Sequence, residues 1–161
     1  MMILALCLAL GDDWLQLKGD ARRSGDVPSR ALALPLGLAG AVPLGDGIYA
    51  SPAVADGVVY VVDGSGSAHA IEAATLRTLW KSPPRGVNHV SSPAVAGKHL
   101  HFGTTDGFHV VLDRATGALV RELDVREPIF SAPAGGSVTL VAGCVPSGRQ
   151  SRACVRTKTS L

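Results

Sequence analysis

The chain has 161 residues, 47% of them hydrophobic and 17% charged, with a formal net charge of +2. That hydrophobic content excludes intrinsic disorder, and 19 glycines with 10 prolines point to an all-β chain rich in turns rather than to a helical pattern. No apolar run reaches the roughly 20 residues that a membrane-spanning helix needs.

Met1 to Gly11, MMILALCLALG, is a short apolar run with small residues at Ala9 and Gly11 before Asp12. It reads as a secretory signal, which places the mature chain in the periplasm or outside the cell. No Lys or Arg precedes the run, and a buried strand or a misplaced start remains open beside that reading. Cys7 is not expected to carry lipid, because Leu6 stands where a small residue is needed. An aromatic and polar segment follows, Asp13-Trp14-Leu15-Gln16-Leu17-Lys18-Gly19-Asp20, then Arg22-Arg23-Ser24-Gly25.

The body of the chain states one unit twice. Ser51 to Trp80, SPAVADGVVYVVDGSGSAHAIEAATLRTLW, returns from Ser92 to Arg121 as SPAVAGKHLHFGTTDGFHVVLDRATGALVR, without a gap at an offset of 41. A period in the forties built of short apolar runs and Gly-rich turns is the signature of a β-propeller blade. Turn chemistry divides each copy into four strands. In the first copy Ser51 to Ala55 ends at Asp56-Gly57, a tight hairpin dipeptide. Val58 to Val62 ends at Asp63-Gly64-Ser65-Gly66, and Ala68 to Glu72 precedes Ala73-Ala74-Thr75-Leu76. The second copy has Asp113-Arg114-Ala115-Thr116-Gly117 at that last turn, where Asp and Thr bond the local backbone and Gly117 takes a left-handed conformation. Leu79-Trp80 and Leu119-Val120 are the fourth strands.

Shifted by the same offset, Leu36-Gly37-Leu38-Ala39 falls on the fourth-strand slot of a blade whose first three strands are not upstream. In a closed propeller such a strand completes the last blade, so Pro35 to Ala39 is expected as a closing strand. A third unit begins at Phe130-Ser131-Ala132-Pro133, with Val138 to Ala142 as its second strand, and the pattern stops after Gly143. The expected architecture is a partial β-propeller of about two and a quarter four-stranded antiparallel blades at 51–142. It is preceded by the segment 12–50 and followed by an aberrant tail at 143–161. Arg149, Arg152, Arg156 and Lys158 make that tail basic, with no acidic residue. Lacking aromatic residues and a folded platform, it reads as a shifted frame or broken gene end rather than a nucleic-acid arm.

The pattern SSPAVA-x-G-x-x-Y-V-x-x-x-x-G-x-x-x-A-(I/L)-(D/E)-A-x-T-G-x-x-x-W resembles the pyrroloquinoline-quinone-type propeller repeat. That repeat is shared by quinoprotein dehydrogenases, an outer-membrane β-barrel assembly lipoprotein and many secreted bacterial proteins. The resemblance runs over roughly Asp13 to Gly143, and the segment beginning at Trp14 is similar to the opening W-x-Q-x-x-G-x-x-x-x-S-G of the secreted members. It implies that Trp14 anchors the N-terminal segment on the propeller.

The resemblance does not imply that the quinone binds. A quinoprotein dehydrogenase shows adjacent cysteines, a catalytic Asp and calcium ligands. Cys7, Cys144 and Cys154 are not adjacent, and no segment matches the other motifs. No catalytic, cofactor-binding or metal-binding residue is therefore assigned, and no cofactor is expected. His99, His101 and His109 are placed by strand alternation and the hairpin to approach one another. Since Val58, Tyr60 and Ala68 stand at the matching positions, they are read as strand residues. Gly64 to Gly66 joins two strands and lacks the helix terminus of a phosphate cradle.

The functional expectation is a non-catalytic secreted scaffold for protein partners. A truncated quinone-dependent dehydrogenase and a nonfunctional gene fragment stand as alternatives. Because a blade's apolar faces need neighbours, both end blades are expected to face water and the isolated chain to self-associate.

Overall fold

The computed structural model describes residues 13–27, 35, 37–86, 89–135, 139–142 and 155–158. The run 1–11, expected as a secretory signal, and all three cysteines lie outside them. Two four-stranded antiparallel sheets follow each other in chain order. The first is β1 (Ala53–Ala55), β2 (Val58–Val62), β3 (Ala68–Glu72) and β4 (Thr78–Lys81), and the second is β5 (Ala94–Ala96), β6 (His99–Gly103), β7 (Phe108–Asp113) and β8 (Leu119–Asp124). Each is a meander in sequence order, as the doubled turn pattern requires. The repeat extends to detail, since the β3–β4 pairing shifts register between Ala70 and Ile71 and the β7–β8 pairing between Val111 and Leu112, 41 residues on.

Local chemistry sets the turns. Asp56 and Gly57 both have positive φ, 49° and 73°, the backbone that matches the twist of a two-residue hairpin. Asp113 Oδ1 accepts hydrogen bonds from the Ala115 and Thr116 amides and from Thr116 Oγ1, and Gly117 follows with φ 73°.

Strand alternation then assigns the faces. Tyr60, Val62, Ala68 and Ala70 on the first sheet meet Leu100, Phe102, Val110 and Leu112 on the second, and together with Ala53, Ala55 and Val95 they form the buried core. The two sheets therefore contribute opposite faces of the same repeat, which is how successive propeller blades stack. Trp80 secures the junction. Its ring lies against Gly117, where an added Cβ would sit 2.5 Å from the indole, and its Nε1 donates to Arg114 O at 3.0 Å. The Arg114–Asp56 ion pair at 2.5 Å and the Arg85–Glu122 pair also tie the second sheet to the first unit. At the start of each unit a serine bonds across to its counterpart. Ser51 N donates to Ser92 Oγ at 2.9 Å, and Ser91 Oγ donates to Ser131 O at 3.0 Å.

A third sheet has three strands in the order β11-β10-β9, formed by β9 (Ala134–Gly135), β10 (Thr139–Ala142) and β11 (Val155–Lys158). The sequence reading ended the repeat at Gly143, yet β11 comes from the segment set apart as a tail and pairs with β10 over four residues. Val155 and Thr157 are β-branched, and a strand needs only such residues and a free neighbouring edge.

The closing strand expected at Pro35 to Ala39 falls partly outside the described residues, at Leu36, and residues 37–39 pair with no described strand. One other expectation needs correction. The far face of the first sheet was expected to lie open, yet Val61, His69 and Ile71 on it are buried. Residues 45–47 cross part of that face, with Gly45 beside the Lys81 ammonium and the Asp63 carboxylate and Gly47 O accepting from Gly64 N at 2.7 Å.

The Trp80–Gly117 contact gives a direct test of the blade junction. Gly117→Ala adds a methyl to a left-handed residue already pressed on the indole, and is expected to lower the unfolding free energy by about 1–3 kcal/mol. Urea titration followed by tryptophan fluorescence measures it. An unchanged midpoint would remove this contact from the account of blade stacking.

Candidate functional site

Three places concentrate polar groups: the inner edge of the sheets, the Asp63 turn and the histidine face of the second sheet. The first strands run side by side in the order β1, β5, β9, with β5 next to both of the others, and form the inner edge. Trp14 adds to β1 as a bridge to Val54, with reciprocal backbone bonds of 2.8 Å in each direction. Leu15 O then accepts from Val95 N of the second unit at 2.7 Å, and Arg23 Nη2 donates to Ala132 O of the third at 2.6 Å. The N-terminal segment is thus a strap along the inner edge of all three units. Trp14 serves as its anchor, half-buried with Gly19 against its ring.

The turn between β2 and β3 is organised by a buried carboxylate. Asp63 Oδ1 accepts from Ser65 N at 3.0 Å, Ser65 Oγ at 2.6 Å and Ser67 N at 3.2 Å, while Oδ2 pairs with His69 Nε2 at 2.8 Å. Burial alone would raise the Asp63 pKa, but the hydrogen bonds from Ser65, His69 and Ser67 outweigh it and hold the carboxyl below its usual range. The geometry is not that of a nucleophile, base and acid in series, since both Ser65 Oγ and the imidazole bond to the carboxylate. The turn's amides are also used within the fold, Gly64 N on Gly47 O and Gly66 N on Asp63 O, so they do not form an anion cradle. The sequence reading missed this network. The signal was present as a difference between the copies, because Asp63 and His69 correspond to Thr104 and Val110.

The three histidines singled out by alternation do share one face, on the side of β6 and β7 turned away from the first sheet. His101 and His109 are diagonal neighbours, with Nδ1 of the first 3.3 Å from Nε2 of the second, and the His99 ring meets His101 edge-on at 6.0 Å. Both central rings are buried, and among the described residues His101 Nε2 and His109 Nδ1 have no hydrogen-bond partner. Burial, together with the neighbouring His109 and His99, pushes the His101 pKa down to about 3, and burial pushes His109 down to about 4. Among the described residues no group of three or more His, Cys, Asp or Glu is placed to hold a metal ion. His89, which the sequence did not distinguish, is buried in the connection between the first two sheets. It packs edge-on to Phe102 at 5.4 Å and bonds through Nε2 to Ser91 O at 2.7 Å.

Successive four-stranded meanders stacked face to face, with their first strands gathered on one edge, define a β-propeller protein. The profile of the family described as outer membrane protein assembly factor BamB matches residues 41–158. The chain belongs to this family of pyrroloquinoline-quinone-like propellers. No curated protein matches it at a significant level.

Among solved structures it is similar to quinohemoprotein alcohol dehydrogenase from Comamonas testosteroni, with a TM-score of 0.64 and 20% identity over 84% of this chain. Quinohemoprotein alcohol dehydrogenase ADHIIG from Pseudomonas putida HK5 gives 0.65 and 20% over 83%. This chain spans 23% of the length of each dehydrogenase. The computationally designed Ika4 protein gives 0.57 and 17% identity, covering 68% of this chain and 64% of the designed one. At these identities the likeness is one of fold.

Two measurements follow from the polar networks. Asp63→Ala leaves Ser65 N, Ser67 N and His69 without their acceptor and is expected to cost about 3–5 kcal/mol of stability. Asp63→Asn costs less, since the amide oxygen still accepts. Equal losses from the two in urea titrations would show that the carboxylate does not organise the turn.

The histidine pair predicts acid sensitivity. Both imidazoles have folded pKa values below the unfolded 6.5, so the unfolded chain binds more protons as pH falls from about 6.5 towards 4. Stability is then full above pH 6.5 and declines below it, by up to about 1.4 kcal/mol per pH unit for each extra proton. His101→Tyr with His109→Ala restores the residues of the first copy and should flatten the profile. An equally steep profile in that variant would place the acid sensitivity elsewhere.

Proposed function

We propose that this chain is a non-catalytic propeller scaffold that holds protein partners, exported to the periplasm or beyond the cell, and that it represents a piece of a longer ring. The observation that carries the reading is how the buried polar groups are used. Asp63 and His69 fix a turn, Ser91 and Ser92 tie neighbouring units, and no described set converges from two units on a common cavity. Exposed apolar side chains lie instead on the outermost strands, Leu79 on β4 and Leu119 and Val120 on β8, whose outer edges pair with no strand among the described residues. An unpaired edge carrying apolar side chains is the surface to which an extended segment of another protein adds as a further strand. The family description, an outer membrane protein assembly factor, supports the same reading. Self-association of the isolated chain belongs to it as well.

A second reading, part of a quinone-dependent dehydrogenase, is favoured by the likeness to the two alcohol dehydrogenases. Dye-linked alcohol oxidation by the purified chain, with the quinone and calcium supplied, separates the two. The scaffold reading expects the rate of a protein-free control, and quinone-dependent turnover would overturn it. A photo-crosslinking side chain at Val120, on the edge of β8, is expected to trap a protein partner in the cell. Loss of that adduct in a Leu119→Lys variant that retains its fold ties the capture to this edge.

A further inference from the structure

All five histidines lie among the described residues, and two of the buried ones differ from the others in what holds them. His69 is anchored on the Asp63 carboxylate at 2.8 Å and His89 on the Ser91 carbonyl at 2.7 Å. His101 and His109 meet only each other, Nδ1 to Nε2, at 3.3 Å, which is long for a hydrogen bond. They are 2% and 1% exposed, on the face of β6 and β7 that also carries His99. The first unit has Tyr60, Ala68 and Val58 at these three positions. Two buried imidazoles with no oxygen partner give up solvation without a full return, so the face needs a further contact to offset them.

The pair has the spacing of two ligands on one ion. Nitrogens bound about 2.0–2.1 Å from a tetrahedral zinc lie roughly 3.3–3.4 Å apart, which is the separation found between these rings. Ligation requires both inner nitrogens to present lone pairs, with the ring protons on His101 Nε2 and His109 Nδ1. Among the described residues neither of those outer atoms bonds to a protein group, so nothing fixes the opposite tautomer. Burial lowers both pKa values, which keeps the rings neutral and their lone pairs available at neutral pH. His99 stands at the half-buried margin of the same face, its ring edge-on to His101 at 6.0 Å, where rotation of its side chain carries a third nitrogen inward.

We infer that His101 and His109, joined by His99, bind a divalent transition-metal ion, with zinc as the fitting ion, and that the ion staples β6 to β7. As the rings stand only two donors face each other, so His99 turns in when the ion arrives and water takes the fourth position. An all-imidazole set selects zinc, copper or nickel over calcium or magnesium, which prefer oxygen. A staple of this kind serves a scaffold and an enzyme alike.

The test uses the full chain with Cys7, Cys144 and Cys154 changed to Ser, which removes thiolates as competing ligands. Equilibrium dialysis against Zn2+ is expected to give one bound ion per chain, with a urea midpoint raised by the metal, and Co2+ to give the visible bands of a tetrahedral site. His101→Tyr with His109→Ala restores the residues of the first unit and is expected to abolish all three. His99→Val is expected to weaken zinc binding. Imidazole nitrogen resonances of the parent chain keep the outcome decisive if the double variant does not fold, since zinc is expected to shift those of His101 and His109. Absence of zinc binding by the parent, binding undiminished in the double variant, or shifts confined to His69 and His89 would each overturn the site.

Discussion

A four-stranded meander has two faces and can cover neither alone, so the stacking of one blade on the next is the constraint on which this structure rests. The contact between the first two sheets satisfies it with complementary surfaces drawn from opposite faces of one repeat. The first sheet brings Tyr60 and three small or medium side chains, and the second brings Leu100, Phe102, Val110 and Leu112. Small residues on one side let the larger ones seat on the other. The register of the stack is fixed at its rim by directional contacts. Trp80 seats on Gly117 only if the fourth strand of one unit reaches the third turn of the next, and the Ser51–Ser92 bond sets the inner end in the same step.

The turns and strands of the two copies were legible because their causes are local. Asp56-Gly57 can do little but turn tightly, and Asp113 with Thr116 and Gly117 carries its own hydrogen bonds within five residues. What depended on distant partners was not legible. Leu36 to Ala39 carry the pattern of a fourth strand, but a strand also needs a neighbour, which the pattern cannot supply. The segment Val155–Lys158 shows the converse, since it does not follow the repeat pattern, yet it pairs with the edge of β10. The alternation argument brought His101 and His109 together correctly, because facing positions on a hairpin are fixed by register. It said nothing of Asp63 and His69, whose meeting depends on the path of a turn.

The strap from Trp14 to Arg23 adds a second means of holding the units, independent of their faces. It bonds to the backbone of β1, to β5 and to the start of the third unit. Stacking buries apolar area between successive units, whereas the strap bonds to all three. Opening one junction therefore also strains the strap at the others, which couples the three units along their inner edge.

The placement of polar groups is what favours the scaffold reading proposed for this chain. A propeller that performs chemistry must bring side chains from several blades to one point, which takes polar residues on inner strands and turns left free of structural duties. Among the described residues, several of the polar groups at such positions are engaged within the fold. The inner edge is capped by the strap, Asp63 is fully engaged by Ser65, Ser67 and His69, and Ser91 both accepts from Gly103 N and donates to Ser131 O. The unpaired nitrogens of His101 and His109 lie on a buried blade face, where neutral imidazoles are favoured and exchange with solvent is restricted. Interaction surfaces make the opposite demand, for exposed edges and apolar side chains, and the outermost strands β4 and β8 and the segment 37–50 are where this chain presents them.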